Sequence, residues 1–302
     1  MMNQCVAQKT VVPDELLGQL VDSTTLLRQP TDLRARLAAD GYVLLRGVVG
    51  PAEVQAAREE VFGRLAEVGE IRLPPGEGIA TGESRRKELV DDLGEFWRDV
   101  SKGPALRHAS HGPSMREVMS TLIGVPARAH DYIFLRPGRP GQSTRLHYDR
   151  PFFARGSDRI YTAWLALGEV RGDEGPLMII EGSNQFQDQI DAMQQVDYQS
   201  AQSPTAQVMS DTVEFVKSRA SRLLTTEFGP GDLVVFDMLT LHGTLDNQSA
   251  AGRVRLSCDV RWQPATDPLD ARYQGENPPG TTGAGYGELN GAKPLTEDWH
   301  TR

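Results

Sequence analysis

The sequence predicts a mainly β protein of the α+β class, with a helical first part followed by a sandwich or barrel of short strands. Three observations carry this expectation. Helical periodicity punctuated by Pro and Gly occupies roughly residues 1–127. From about residue 128, short runs rich in β-branched and aromatic residues alternate with Gly, Pro, Asp and Asn. At 302 residues with no internal repeat, the chain is long enough to bury one large core as a single domain.

The stretch "PTDLRARLAADGYVLLRGVV" offers Thr31 or Asp32 as a helix N-cap and Gly41 just past the helix end, and the apolar run Tyr42–Leu45 reads as a strand. Pro51 suits a first helical position, and Val54, Val61, Leu65 and Val68 keep near-helical spacing behind it. "RLPPGEGIATGES" reads as a loop, with further helices expected over 86–100 and 114–123. The strand signals are "DYIFLRP", "RIYTAWLALGEV", "PLMIIEG", "DLVVFDML" and "RVRLSCDVRW". A strand core over 128–265 is interrupted at about 184–220, where a Gln-rich interval from Asn184 to about Ser203 suggests a lid or partly helical insertion. Residues 266–302 form a C-terminal extension, in which "NPPGTTGAGYGELNG" reads as a loop because no helix pattern follows its glycines.

Composition narrows the function classes. With a formal charge of −9, the chain is a poor binder of nucleic-acid phosphates or anionic membranes by bulk electrostatics. Two cysteines, Cys5 and Cys258, are too few for a disulfide framework. No signal core or run of 18 apolar residues is present, so a soluble cytoplasmic protein acting on a small molecule is expected.

The chemistry centres on "TRLHYDRPFF". In an extended segment, side chains two apart share a face, so His147 and Asp149 would project together with Arg145. His-x-Asp alone is weak evidence for a metal site. Among six histidines, His242 stands out because "GPGDLVVFDMLTLHGTLDNQS" puts it after an apolar strand and before a turn. Two imidazoles and one carboxylate on one side of a metal leave other positions open, which suits non-haem iron handling oxygen; catalytic zinc can use the same ligands. His108 and His111, flanked by Gly and Pro, read instead as solvated loop histidines.

"RVRLSCDVRW" alternates, with Val254, Leu256, Cys258, Val260 and Trp262 on one face and Arg253, Arg255, Ser257, Asp259 and Arg261 on the other. The polar face is either solvated or lines a wet cavity where an arginine clamps a carboxylate. Alternation leaves that open and does not separate Arg253 from Arg255. The arginines at 145, 150, 155 and 159 are either contacts for an anionic substrate or exposed partners for acidic residues, and Phe152 and Phe153 either line a pocket or pack in the core.

Taken together, "LHYD", "TAWLALGEV", "EGPLMIIEGSNQF", "GPGDLVVFDMLTLHGTLDNQS" and "GRVRLSCDVRW", with the opening "LAADGYVLLRGVV", resemble the phytanoyl-CoA dioxygenase family over about residues 33–263. The resemblance implies a double-stranded β-helix, a jelly-roll barrel flanked by N-terminal helices. It implies Fe(II), 2-oxoglutarate and O2 as cofactor and co-substrates, with His147, Asp149 and His242 as metal ligands. The family's co-substrate arginine follows the distal His by eleven residues, which selects Arg253; Thr244, Trp164 and Tyr132 fall at further co-substrate positions.

One departure is Glu181-Gly182-Ser183-Asn184 where members often read Pro-Gly-Ser-His. Halogenating relatives replace the carboxylate ligand with a small residue. Asp149 keeps that place filled, so the resemblance favours hydroxylation of a small organic molecule, with release of succinate and CO2. The alternatives are a metal-dependent hydrolase or isomerase on a barrel and a non-catalytic small-molecule sensor. No Gly-x-Ser-x-Gly turn is present to suggest a nucleophilic hydrolase.

Overall fold

The computed structural model describes residues 4–194, 196–197, 211–280 and 294–296. A small hairpin of β1 (Val6–Ala7) and β2 (Thr10–Val11) leads into β3 (Leu17–Gln19), α1 (Pro30–Asp40), β4 (Tyr42–Leu45) and α2 (Pro51–Glu67). Helices α3 (Arg86–Leu89), α4 (Leu93–Ser101), α5 (Pro104–His111) and α6 (Pro113–Ile123) follow. The strand-rich part holds β5 (Ala127–Gly138), β6 (Tyr161–Ala166), β7 (Leu177–Ile180), β8 (Leu223–Thr225), β9 (Leu233–Asp237), β10 (His242–Thr244) and β11 (Arg255–Pro264). Helices α7 (Gln187–Gln194) and α8 (Thr212–Ser218) lie between β7 and β8, inside the interval expected to be an insertion. Most of the Gly-rich stretch 277–291 lies outside the described residues.

Two sheets build the jelly roll. One has the order β4-β9-β6-β11-β5 and is antiparallel throughout. The other runs β10-β7-β8-β3, with a parallel pair only between β3 and β8. Period-two alternation sorts side chains between two environments. Val43, Leu45, Ala163, Leu165, Leu233 and Val235 pack outward in one cluster with residues of α1, α2, α5 and α6. Their neighbours Tyr42, Leu44, Trp164, Ala166, Val234 and Phe236 point inward, where they meet Leu177, Ile179 and Leu224 of the smaller sheet. Burial on both faces explains why "YVLL" and "LVVF" read as continuous apolar runs.

Several local expectations change. Helix α1 starts at Pro30 with Gln29 as its cap, ahead of the expected Thr31 or Asp32, because the fixed φ of proline suits the first helical position. The helix expected over 86–100 divides into α3 and α4. Asp92 stops any continuation by capping α4, its side chain accepting the Glu95 N–H at 3.0 Å. His108 and His111 lie on helix α5, not in a loop. His108 is exposed, but the His111 ring is held 2.9 Å from the His130 carbonyl and beside Trp262.

Gly41 ends α1 with φ 77° and touches the turn that delivers His242. Its carbonyl accepts the Thr240 hydroxyl at 2.8 Å, and a Cβ here would lie 2.6 Å from Thr240 Oγ1. Gly41→Ala is expected to destabilise the fold by about 1–2 kcal/mol from left-handed backbone strain alone, measurable by urea unfolding.

Candidate active site

His242 and Thr244 pair with Ile179 and Leu177 across β10 and β7, and directly opposed residues in a sheet project to the same face, here the barrel interior. A single antiparallel bridge sets His147 opposite His242, so both imidazoles enter the interior together, with ring centroids 4.3 Å apart. The segment around His147 is not a regular strand. Asp149 adopts a helical backbone conformation and opens the 3-10 turn Arg150–Phe152. Convergence of His147 and Asp149 therefore comes from a bridge followed by a turn, not from simple strand alternation.

His147, Asp149 and His242 are buried and present ligand atoms within 4.8 Å of one another. His147 Nδ1 lies 2.9 Å from the Arg145 carbonyl, and His242 Nδ1 lies 3.0 Å from the Thr240 carbonyl. A carbonyl only accepts, so each Nδ1 carries the proton and each Nε2 offers a lone pair inward. Burial holds both imidazoles below their ordinary pKa, which keeps them neutral at neutral pH. Burial by itself would raise the Asp149 carboxyl. Burial is the largest single influence, but the Arg261 guanidinium, the two imidazoles and the Thr162 hydroxyl together outweigh it, so Asp149 stays ionised.

The fit to a cation rests on two orphaned atoms. His147 Nε2 and Asp149 Oδ1 are both buried without a hydrogen-bond partner, and they face each other at 3.6 Å. Two acceptors turned toward each other in a dry interior are unfavourable unless a positive ion lies between them. The donor set of two imidazoles and one carboxylate suits iron.

A small cleft opens beside the cluster, lined by Arg136, Thr144, His147, Trp164, Leu177, His242, Gly243, Thr244, Arg255 and Asp259. Thr244 and Trp164 line this cleft, whereas Arg253 and Tyr132 do not. Arg253 precedes β11 and pairs with Glu174, Nε to Oε1 at 2.6 Å, outside the cleft. Arg255 takes the interior place. It stands opposite Gly138 in the β11–β5 register, where a Cβ would lie 2.7 Å from Arg255 Nη2 and force the guanidinium to shift. Counting eleven residues from His242 runs through an irregular loop, where residue number does not measure position. Tyr132 instead packs on Phe134 with ring centroids 4.4 Å apart, edge-on to Tyr273, and lines a separate cleft.

Arg255 is 4% exposed, and among the described residues its guanidinium makes one hydrogen bond, Nη1 to Ser257 Oγ at 3.0 Å. Its Nε has no partner, and among the described residues no carboxylate lies within ion-pair distance of it. Burial pushes its pKa down to about 10, leaving it charged at neutral pH. The Thr244 hydroxyl accepts the Thr144 N–H at 2.7 Å, which leaves its own proton to donate into the cleft. Gly138→Ala is expected to push the Arg255 guanidinium aside and weaken binding of a dicarboxylate while leaving metal binding intact. Titration calorimetry with each ligand checks both halves.

The family sequence profile for phytanoyl-CoA dioxygenase (PhyH) matches residues 37–255. The chain belongs to the phytanoyl-CoA dioxygenase family. Proteins of this family are iron- and 2-oxoglutarate-dependent oxygenases that consume O2, and the cluster of His147, Asp149 and His242 is of the kind they use. The chain is 26% identical over 272 residues to 1-deoxypentalenic acid 11-beta-hydroxylase of Streptomyces arenae, covering 83% of this chain and 87% of that one. Human peroxisomal phytanoyl-CoA dioxygenase is 22% identical over 229 residues, covering 72% and 64%. Among solved structures, the non-heme alpha ketoglutarate dependent epimerase SnoN shares the fold with a TM-score of 0.52 at 22% identity, covering 90% of this chain and 97% of that one. EctD from S. alaskensis does so with a TM-score of 0.53 at 15% identity, covering 91% and 88%. No helix among the described residues is long and apolar enough to cross a membrane.

The arginines around the metal motif divide by geometry. Arg150 pairs with Asp158, Arg155 with Asp197 and Arg159 with Asp267, so these three serve as partners for acidic residues. Phe152 and Phe153 are buried in the core, where Phe152 also meets His147 edge-on. Arg136, Thr162, Asp259 and Arg261 were not singled out by sequence, although the polar face of β11 already carried Asp259 and Arg261. That face is buried inside the barrel and is not solvated. Nothing in the sequence marked Thr162.

Proposed function

We propose that the protein hydroxylates a small organic molecule, with His147, Asp149 and His242 as the iron ligands and Arg255 as the co-substrate clamp. The observation that carries this reading is the pair of opposed acceptors, His147 Nε2 and Asp149 Oδ1, beside a cleft that His147 shares with Arg255, a buried arginine with no carboxylate at ion-pair distance among the described residues. The arrangement calls for a cation at one end and an anion at the other, and 2-oxoglutarate on a metal supplies both. When bound, iron with 2-oxoglutarate and O2 supplies an oxidation that yields succinate, CO2 and a hydroxylated substrate, one oxygen atom going to each of succinate and product.

The chain's own residues bind and orient. The two Nε2 lone pairs and Asp149 Oδ1 hold the metal, each imidazole fixed in its tautomer by a backbone carbonyl. Arg255 and the Thr244 hydroxyl receive the far carboxylate of the co-substrate, and Trp164 and Leu177 wall its carbon chain. Phe134, Phe152 and Phe153, all buried, keep bulk water from the opposite side of the cluster. Retention of Asp149, together with a curated hydroxylase at 26% identity, supports hydroxylation over halogenation.

The test is succinate formation from 2-oxoglutarate with Fe(II) in air, first without a substrate and then across a metabolite panel. Stimulated succinate release, with a product 16 mass units heavier than one panel member, is expected. Succinate no faster than in metal-free protein across the whole panel would rule the reading out.

A further inference from the structure

We propose that Arg261 and Thr162 are positioning residues that restrict Asp149 to binding the metal through one oxygen, Oδ1. The inference rests on the reading of Asp149 as a metal ligand and concerns what its other oxygen does. Asp149 Oδ2 accepts two short hydrogen bonds, from Thr162 Oγ1 at 2.6 Å and from Arg261 Nη2 at 2.6 Å. A carboxylate oxygen has two in-plane lone pairs, so these two donors occupy Oδ2 fully. Oδ1 is buried with no donor and lies 3.6 Å from His147 Nε2. The two oxygens of one carboxylate are thus given different tasks.

Both donors stand on rigid elements. Thr162 lies on β6 and Arg261 on β11, adjacent strands whose Thr162 and Arg261 are register partners. The Arg261 guanidinium is 1% exposed, with its Cζ 4.2 Å from the Phe134 ring centre and 4.8 Å from that of Phe153. Its Nη1 lies 3.8 Å from Asp259 Oδ2, which the Arg136 Nε approaches to 3.2 Å. The guanidinium therefore packs against two rings, with a second carboxylate at ion-pair distance, and these contacts restrain it from swinging away and releasing Oδ2. A charge-assisted hydrogen bond from a group this confined is both strong and directional.

The consequence is a count of open positions. Two imidazoles and a one-oxygen carboxylate take three places on a six-coordinate metal, leaving three. A carboxylate free to bind through both oxygens would take a fourth place and leave two. By this inference, Arg261 and Thr162 keep the third place available.

Mn(II)-loaded protein without 2-oxoglutarate provides the test, because water-proton relaxation reports the number of metal-bound waters. Thr162→Val is nearly isosteric and removes one donor, Arg261→Met removes the other, and Arg261→Lys retains a cation that reaches Oδ2. Relaxation enhancement is expected to fall by about one third in Thr162→Val or Arg261→Met as three open positions become two, and to return toward wild type in Arg261→Lys. If Arg261→Met fails to fold, Thr162→Val carries the test. Wild-type relaxation in every folded variant that loses a donor overturns the inference. His242→Ala separates the two levels: undiminished Mn(II) binding there refutes the metal-site reading itself, whereas lost binding beside unaltered Thr162→Val refutes only the positioning role.

Discussion

Arg255→Ala will cost the protein its affinity for 2-oxoglutarate, while Arg253→Ala will leave that affinity close to wild type. Truncating one partner of a buried, hydrogen-bonded charge pair costs about 2–5 kcal/mol, a loss of roughly 30-fold to several thousandfold in affinity. Arg255 meets the conditions for that range. It is buried, charged at neutral pH, and among the described residues its guanidinium hydrogen-bonds only to the neutral Ser257 hydroxyl. Arg253 does not, because its guanidinium is partly exposed and already paired with Glu174. Calorimetric titration of 2-oxoglutarate into metal-loaded, oxygen-free protein separates the two variants. A large loss in Arg253→Ala with none in Arg255→Ala would return the clamp to the position counted from His242. A Thr244→Val variant should show a smaller loss than Arg255→Ala, since it removes one neutral donor and no charge.

Single alanine replacements of His147, Asp149 or His242 will each reduce metal affinity by more than about 100-fold, beyond the range associated with residues that only support ligands. Turnover of 2-oxoglutarate should disappear with it. The three variants will nevertheless differ in stability. His147→Ala and His242→Ala remove neutral rings whose Nδ1 donors meet backbone carbonyls, and those carbonyls retain a second lone pair for water. Asp149→Ala removes the nearest carboxylate from Arg261, a buried guanidinium, leaving Asp259 at 3.8 Å as a weaker partner, and breaking a buried pair costs up to about 3–5 kcal/mol. Urea unfolding of metal-free proteins checks this order. Equal stability of all three variants would contradict the account of the Asp149–Arg261 pair.

Much of this molecule was legible from residue order. The strands "LVVF", "YVLL" and "RLSCDVRW" fall where their composition puts them, because apolar runs and strict alternation have one good solution in a two-sided sheet. The three ligand candidates were visible as a His-x-Asp pair, weak by itself, and a histidine behind a strong strand. The errors share a cause. Asp92 capping a new helix, His111 packed beside Trp262, and Arg255 lining the cleft where Arg253 does not each depend on a neighbour distant in sequence or on a local cap that competes with periodicity. The sequence carries the composition of each candidate, but not which surface it meets.

Strand periodicity and the types of ligand-forming side chains by themselves predicted a sandwich or barrel with the means to hold a metal, and the order of its motifs carried the resemblance to the family. Tertiary structure alone decided which arginine enters the cleft and which oxygen of Asp149 remains open. The register of β11 against β5 sets Arg255 over Gly138, and the pairing of β6 with β11 sets Thr162 beside Arg261. Both outcomes are relations between strands far apart in the chain. Alternation specifies the face a side chain takes on its own strand, while its height in the barrel follows from how the strands align, and that alignment is a property of the packed sheet.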